Sequence, residues 1–321
     1  MKRFFAARLL KQKAIGRILW FSRNDTSPIL EVIMTIKLSK RLFLAAAVLC
    51  VALRCVLKFV SIDPATGYYE GYDALVLLFN VLLAVSALAL IALPLLQKST
   101  DSHVIRFDGA TRLFSVLSGA ALLLFAAGRI SAAIAELSSV SGASPFSFLI
   151  STLGIFVFMG VVPALSGGIL IAAGLRARGD SGTAGMNGWL LLVPLVWQVA
   201  QLLVTFMDFT AVRHVSDQML AVMSMVLGAP FFLAHGRVLS GIGHDKGVRQ
   251  MAAFGLPFAL LSLTLSIPSI AASLAGRAFP YGLPPTGSIL YLCLGLYAAS
   301  LGLSIRRKAD PLPAEESSNQ N

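Results

Sequence analysis

The sequence predicts an all-α, polytopic membrane protein with about eight transmembrane helices and both termini in the cytoplasm. Three observations carry that expectation. Hydrophobic residues make up 57% of the 321-residue chain and charged residues only 13%, against roughly 25% charged in a soluble domain. Mean hydropathy is +0.81, and the apolar residues gather in runs close to the ~20 residues that cross about 30 Å of hydrocarbon. The basic residues between those runs fall almost wholly in alternate connections. Transmembrane strands would alternate apolar and polar over about ten residues; these runs do not, so helices are the spanning element.

The spans read at residues 42–60, 74–96, 113–137, 148–175, 189–206, 218–235, 251–272 and 288–304. They make one transmembrane domain, 42–304. A basic cytoplasmic segment, 1–41, precedes it, and a polar, Pro-bearing tail, 305–321, expected to be disordered, follows it. Of the 26 Lys and Arg, 21 lie before span one, after span eight, or between spans two and three, four and five, or six and seven. The other five, Arg54, Lys58, Arg129, Arg213 and Arg277, belong to the opposite side or its half of the membrane. Such a bias assigns the basic face to the cytoplasm. It also removes nucleic acid as a reading of the +11 net charge, because no basic run is interleaved with aromatics. The partners implied are the bilayer, anionic lipid at the cytoplasmic face, and protein partners the sequence leaves open.

Residues 1–33 are basic all round a helical wheel, which does not make a membrane-surface helix. Met34 then opens Met34-Thr35-Ile36-Lys37-Leu38-Ser39-Lys40-Arg41, which reads as the natural start of a membrane protein. Residues 1–33 are accordingly expected to be an overextended reading frame. The remainder keeps 19 basic and 13 acidic residues. Span one has a short apolar run before Arg54, the length of a signal-peptide core. It lacks a small-x-small cleavage site and carries Arg54 and Lys58 where a signal peptide is neutral, so a retained helix is expected. Span four is overlong, and Pro163 followed by Ser166-Gly167-Gly168 marks either a kinked helix or a broken one lining a site.

The outer connections are short and rich in turn formers. Asp63-Pro64-Ala65-Thr66-Gly67 leads to Tyr68, Tyr69 and Tyr72, expected as interfacial aromatics. A faint repeat pairs Asp108 and Arg112 at the opening of span three with Asp245 and Arg249 at the opening of span seven. A parallel four-plus-four duplication would produce it, and so would Asp caps beside cytoplasmic Arg. Gly119, Gly128, Gly154, Gly160, Gly167 and Gly168 read as close-packing points between helices.

Ionisable groups within a span cost about 2.5–3.5 kcal/mol at mid-bilayer, so they mark the candidate site. Arg54 and Lys58 share a face of span one, and Arg129 and Glu136 share a face of span three. Gln198, Gln201, Thr205 and Asp208 form one polar stripe on span five, and Asp217 with Ser224 starts another on span six. The candidate cluster is Arg54, Arg129, Glu136, Gln198, Gln201, Asp208 and Asp217, all in the outer half apart from Gln198 and Gln201 nearer the middle. Either these groups form a network or vestibule, or Arg54, Lys58 and Asp208 snorkel to the interface. Enzyme and metal signals are absent. His103, His235 and His244 read as cytoplasmic and His214 as external, without metal-ligand spacing. Cys50, Cys55 and Cys293 sit within spans as small hydrophobes. No cofactor is implied.

Ser61-Ile62-Asp63-Pro64-Ala65-Thr66-Gly67-Tyr68-Tyr69, Trp197-Gln198, Phe206-Met207-Asp208-Phe209-Thr210, Val215-Ser216-Asp217-Gln218 and Phe231-Phe232-Leu233-Ala234-His235-Gly236-Arg237 are similar to stretches of uncharacterised multi-pass membrane proteins of Gram-positive, clostridia-type bacteria. The resemblance covers residues 34–308. It implies a bacterial plasma-membrane location and a start at Met34, and it brings no activity with it. On the residues alone, movement or sensing of a small solute through the polar cluster is the leading expectation. A non-catalytic partner or scaffold subunit comes next, and a membrane-embedded enzyme third.

Overall fold

The computed structural model describes residues 36–63, 65–96, 103–139, 157–177, 186–209, 216–277 and 283–307. The expectations about residues 1–33 and about the tail beyond residue 307 lie outside the described residues. Among the described residues the long elements are helices: α1 (Ile36–Val60), α2 (Asp73–Leu96), α3 (Gly109–Ser139), α4 (Val162–Arg176), α5 (Val193–Phe209), α6 (Ser216–Leu239), α7 (His244–Leu274) and α8 (Pro285–Ser304). Among the described residues, 7 helices are long and apolar enough to cross a membrane. The remaining one, α5, has 17 residues and is preceded by a 3-10 turn, Leu190–Leu192. This is a helical membrane protein.

Helix ends run past the apolar windows. α6 and α7 extend beyond 218–235 and 251–272 because Ser216, Asp217 and Arg237, and the His244–Arg249 turn, continue the backbone ladder through polar residues. Hydropathy measures the apolar length only, whereas backbone bonding continues into the interface. In span four, a π-helical turn, Val157–Val161, leads into α4, and Pro163 stands in the first α-helical turn. There its missing N–H leaves nothing unsatisfied, so it opens the helix. From Val162 to Arg176 the helix is unbroken.

α6–α7, α7–α8, α8–α3, α3–α4, α4–α5 and α5–α6 all pack pairwise, which closes a ring of six helices. The α1–α2 hairpin lies outside the ring and packs on α7. α7 is therefore the central element: 89% of its apolar window is buried, against 22% for α2. The pairing is only partly symmetric between the two halves. α3–α4 and α7–α8 pack alike, but the extensive packing of α6 on α7 has no counterpart between α2 and α3.

The ends of the bundle are chemically distinct. At one end, β1 (His103–Ile105) pairs antiparallel with β2 (Ile305–Arg307), with Ile105 opposite Ile305. Lys40 at the start of α1 donates to the carbonyl of Leu303 at 2.7 Å and to that of Ile305. α7 packs on β1, Gly236 of α6 lies against Leu191, and Ser240 and Ile242 in the turn after α6 lie against Gly188. Lys37, Lys40, Arg41, Arg106, Arg112, Arg237, Lys246, Arg249, Arg306 and Arg307 thus gather at one basic end. Residues 305–307, assigned above to the disordered tail, are strand because Ile305 has a buried partner in Ile105. At the far end, Arg277 after α7 donates to the carbonyl of Phe59 at 2.8 Å and lies over its ring.

Gly119 and Gly167 hold α3 and α4 together: a Cβ on either would overlap the other's carbonyl oxygen. Gly160 meets Ile130. Gly128 and Gly168 face open space and are not packing points. Gly154 lies outside the described residues.

Candidate functional site

The costliest charges in the sequence meet at the far end. Arg54 and Lys58, one turn apart on α1, are each only 1% exposed. Asp217 in the first turn of α6, where a carboxylate also suits the helix dipole, is 4% exposed and sits between them. One of its oxygens accepts from Arg54 and the other from Lys58. Arg54 also donates to Ser216 Oγ at 3.0 Å and to the Tyr69 hydroxyl. Its guanidinium carbon lies 5.6 Å from the ring centres of Tyr69 and Phe79. Arg54 and Lys58 therefore do not snorkel. Desolvating these ions is expensive, and only their pairing and hydrogen bonds offset it. Tyr69, expected at the interface, is half-buried and serves this network. Asp63 beneath that turn accepts from the Thr66 hydroxyl at 2.6 Å and from the backbone N–H of Ala65 and Thr66. The Thr66 hydroxyl first, and the Ala65 N–H after it, hold its carboxyl below the ordinary value of 3.8.

Beside the charge network, within the helix ring, lies a cavity of about 210 Å³. Phe125 and Arg129 of α3, Met159 of the π turn, and Trp197, Gln201, Val204 and Thr205 of α5 line it. Asp217, Gln218, Ala221 and Met225 of α6 and Leu283, Pro284, Gly287, Leu290 and Tyr291 at the start of α8 complete the wall. Arg129 and Pro284 are exposed. Arg129 makes no hydrogen bond or ion pair with another described residue. Gln201 donates to Thr205 Oγ1 at 3.2 Å. The indole Nε1 of Trp197, which is fully buried, and Gln201 Oε1 have no partner among the described residues.

The sequence cluster divides accordingly. Arg129, Gln201 and Asp217 line one cavity, and Arg54 reaches it through Asp217. Gln198 is fully buried below it, with its amide 3.4 Å from the Met225 carbonyl and against Gly228. Ser224 likewise turns away, to Ser262 at 2.8 Å. Glu136 and Asp208 lie on α3 and α5, but their side chains are outside the described residues.

Trp197 and Tyr291 belong to the cavity and were missed as site residues. Both sit within apolar runs where an aromatic reads as core, and their polar tips are the one signal available. His235 is corrected as well. It is fully buried within the bundle on α6 rather than exposed in a loop, and its Nε2 lies 2.6 Å from the Tyr297 hydroxyl. Phe231, Phe232 and Phe258, all fully buried, stack between this pair and the cavity, with Trp197 edge-on to Phe232 at 6.4 Å. Ring contacts thus run from the cavity wall at Trp197 through Phe232 to His235 and Tyr297.

Among the described residues there is no group of three or more His, Cys, Asp or Glu that could hold a metal ion. No protein-family model, curated protein or solved structure matches the chain, so the site stands on its own geometry.

Proposed function

We propose that this chain is a multi-pass protein of the bacterial plasma membrane that takes a small solute into the far-end cavity, as the first step of moving or sensing it. The basic end then faces the cytoplasm and anionic lipid, both termini lie inside, and the cavity opens outward. The carrying observation is a cavity inside a helix ring that brings Arg129, Gln201, Thr205, Asp217 and the unpartnered Trp197 Nε1 together. Convergent polar groups in a mainly apolar concavity are the general form of a small-molecule site.

The test is aqueous access. In a background with Cys50, Cys55 and Cys293 replaced by Ala, Val204→Cys is expected to react with a membrane-impermeant thiol reagent from the side opposite the N-terminus. A Val204→Cys variant that is folded yet inert from both sides removes the solute-binding reading and leaves the scaffold-subunit one.

A further inference from the structure

The balance of donors, acceptors and charge around the cavity is uneven, and it bears on what the cavity takes. Its charged groups are Arg129 and Asp217, and Asp217 is already engaged by Arg54 and Lys58. Among the described side chains at this site, three cations, Arg54, Lys58 and Arg129, accompany one carboxylate, Asp217. Both oxygens of that carboxylate are occupied. The capacity left over is the five N–H of Arg129, the Trp197 indole N–H, which can only donate, the Tyr291 hydroxyl, which can donate or accept, and Gln201 Oε1, which accepts as placed. Gln201 is read here as donating to Thr205, but turning the amide over lets the Thr205 hydroxyl donate instead and frees the NH2 for the cavity. Asp63, Glu70 and Asp73 are nearby on the α1–α2 connection but do not line the cavity.

Cationic charge at the mouth of such a cavity attracts a small anion. A cation, by contrast, would meet no open acceptor of opposite charge. Resting on the solute-binding reading above, we propose that the ligand is a small oxyanion, carboxylate or phosphate, whose charged end is held by Arg129 and Trp197. Its apolar part lies on Phe125, Met159, Ala221 and Met225. Arg129 is suited to this because its planar fork matches an oxyanion in two parallel hydrogen bonds, and its exposure puts it where an incoming ligand meets it first. Arg54 and Lys58 act behind it as fixed charge, held by Asp217 and unavailable for direct contact.

The experiment uses the full chain in phosphatidylcholine vesicles, with Val204→Cys as reporter in the background free of native Cys. Its labelling rate by an uncharged impermeant maleimide is measured with propionate, propionamide or propylammonium at equal concentration. Propionate is expected to slow labelling roughly tenfold or more, the scale of a charge-assisted hydrogen bond, with the other two inert. Arg129→Gln is expected to abolish that protection and Arg129→Lys to restore part of it. Because Arg129 is exposed, neither variant should unfold the protein.

A second reading compares two thiol reagents of equal size and opposite charge. The anionic one should react faster, and Arg129→Gln should shrink the difference. Protection by phosphatidylglycerol added to the vesicles, without propionate, would support the oxyanion site and assign its occupant to a lipid headgroup. Equal or better protection by propionamide or propylammonium would overturn the anion while leaving a solute cavity in place. So would labelling that none of the additives slows. A Val204→Cys that does not label at all would remove the solute cavity itself, and the anion with it.

Discussion

The two ends of the bundle solve the problem of polar groups in hydrocarbon in opposite ways. Toward the basic end, His235 and Tyr297 are both fully buried, pair with each other at 2.6 Å, and are wrapped by Phe231, Phe232 and Phe258. The interaction is neutral and dry. Toward the far end, Arg54, Lys58 and Asp217 bury formal charge beside a cavity that keeps donors unpaired. A structural network tends to close on itself, because each unpaired buried group costs free energy. Donors left over beside open volume are the sign of a site that something else completes. Unpartnered buried polar atoms occur toward both ends, His235 Nδ1 and Arg112 Nε among them, but those of Trp197, Gln201 and Tyr291 border open volume.

The widest separation between the two regions should come from deleting one member of each network. Asp217→Ala leaves Arg54 and Lys58 buried without a counter-charge and is expected to cost about 3–5 kcal/mol, read as loss of folded protein or a lowered thermal midpoint in detergent. Lys58→Met leaves the Arg54–Asp217 pair intact and should cost clearly less. If Lys58→Met proved as damaging as Asp217→Ala, the counter-charge account would fail. Tyr297→Phe strands His235 Nε2 and should cost about 1–3 kcal/mol. In contrast to the charged network, the double variant His235→Leu with Tyr297→Phe should regain much of that loss, since both polar partners leave together. A double variant no better than the single would show that the inner pair is more than a neutral hydrogen bond.

Packing gives a smaller contrast. Gly167→Ala drives a Cβ into the Gly119 carbonyl, 2.6 Å away, and should cost about 1–3 kcal/mol by overpacking. Gly168→Ala, with nothing within 4 Å, should be neutral or stabilising by up to about 1 kcal/mol. Equal midpoints for the two would contradict the α3–α4 contact. The smallest effect expected is at Asp63. Its carboxyl is held below the usual value of 3.8 by Thr66 and Ala65. Its contribution to the outer turn is therefore complete above about pH 4 and is lost as pH falls through the depressed folded value. The thermal midpoints of wild type and Asp63→Asn should converge on acidification, and a gap that widens instead would reverse the sign.

Much of this architecture was legible in the sequence because the bilayer constrains it so strongly. Long apolar runs and the alternation of Lys and Arg located the helices and the basic end, since hydrocarbon tolerates neither exposed backbone nor stray charge. The ring was not legible. Which helix becomes central depends on side chains around all faces of α7, whose mean hydropathy of 1.7 is below the 2.7 of the peripheral α2. The site was half legible. Arg54, Arg129, Gln201 and Asp217 stood out because each is costly where it lies. Trp197 and Tyr291 did not, since an aromatic in an apolar span reveals its polar tip only when its neighbours fail to pair it. Gln198 drew attention through its spacing with Gln201, yet three residues on a helix were enough to carry it below the cavity floor.

The central claim is that the leftover donors mark a wet outer cavity above a dry inner core. Its most direct test is the ratio of thiol-labelling rates at Val204→Cys in the cavity wall and Leu256→Cys in the fully buried face of α7, each in the background without native Cys. Fast reaction at Val204→Cys with none at Leu256→Cys is the expected result. Equal rates at the two positions, or reaction at Leu256→Cys alone, would contradict it.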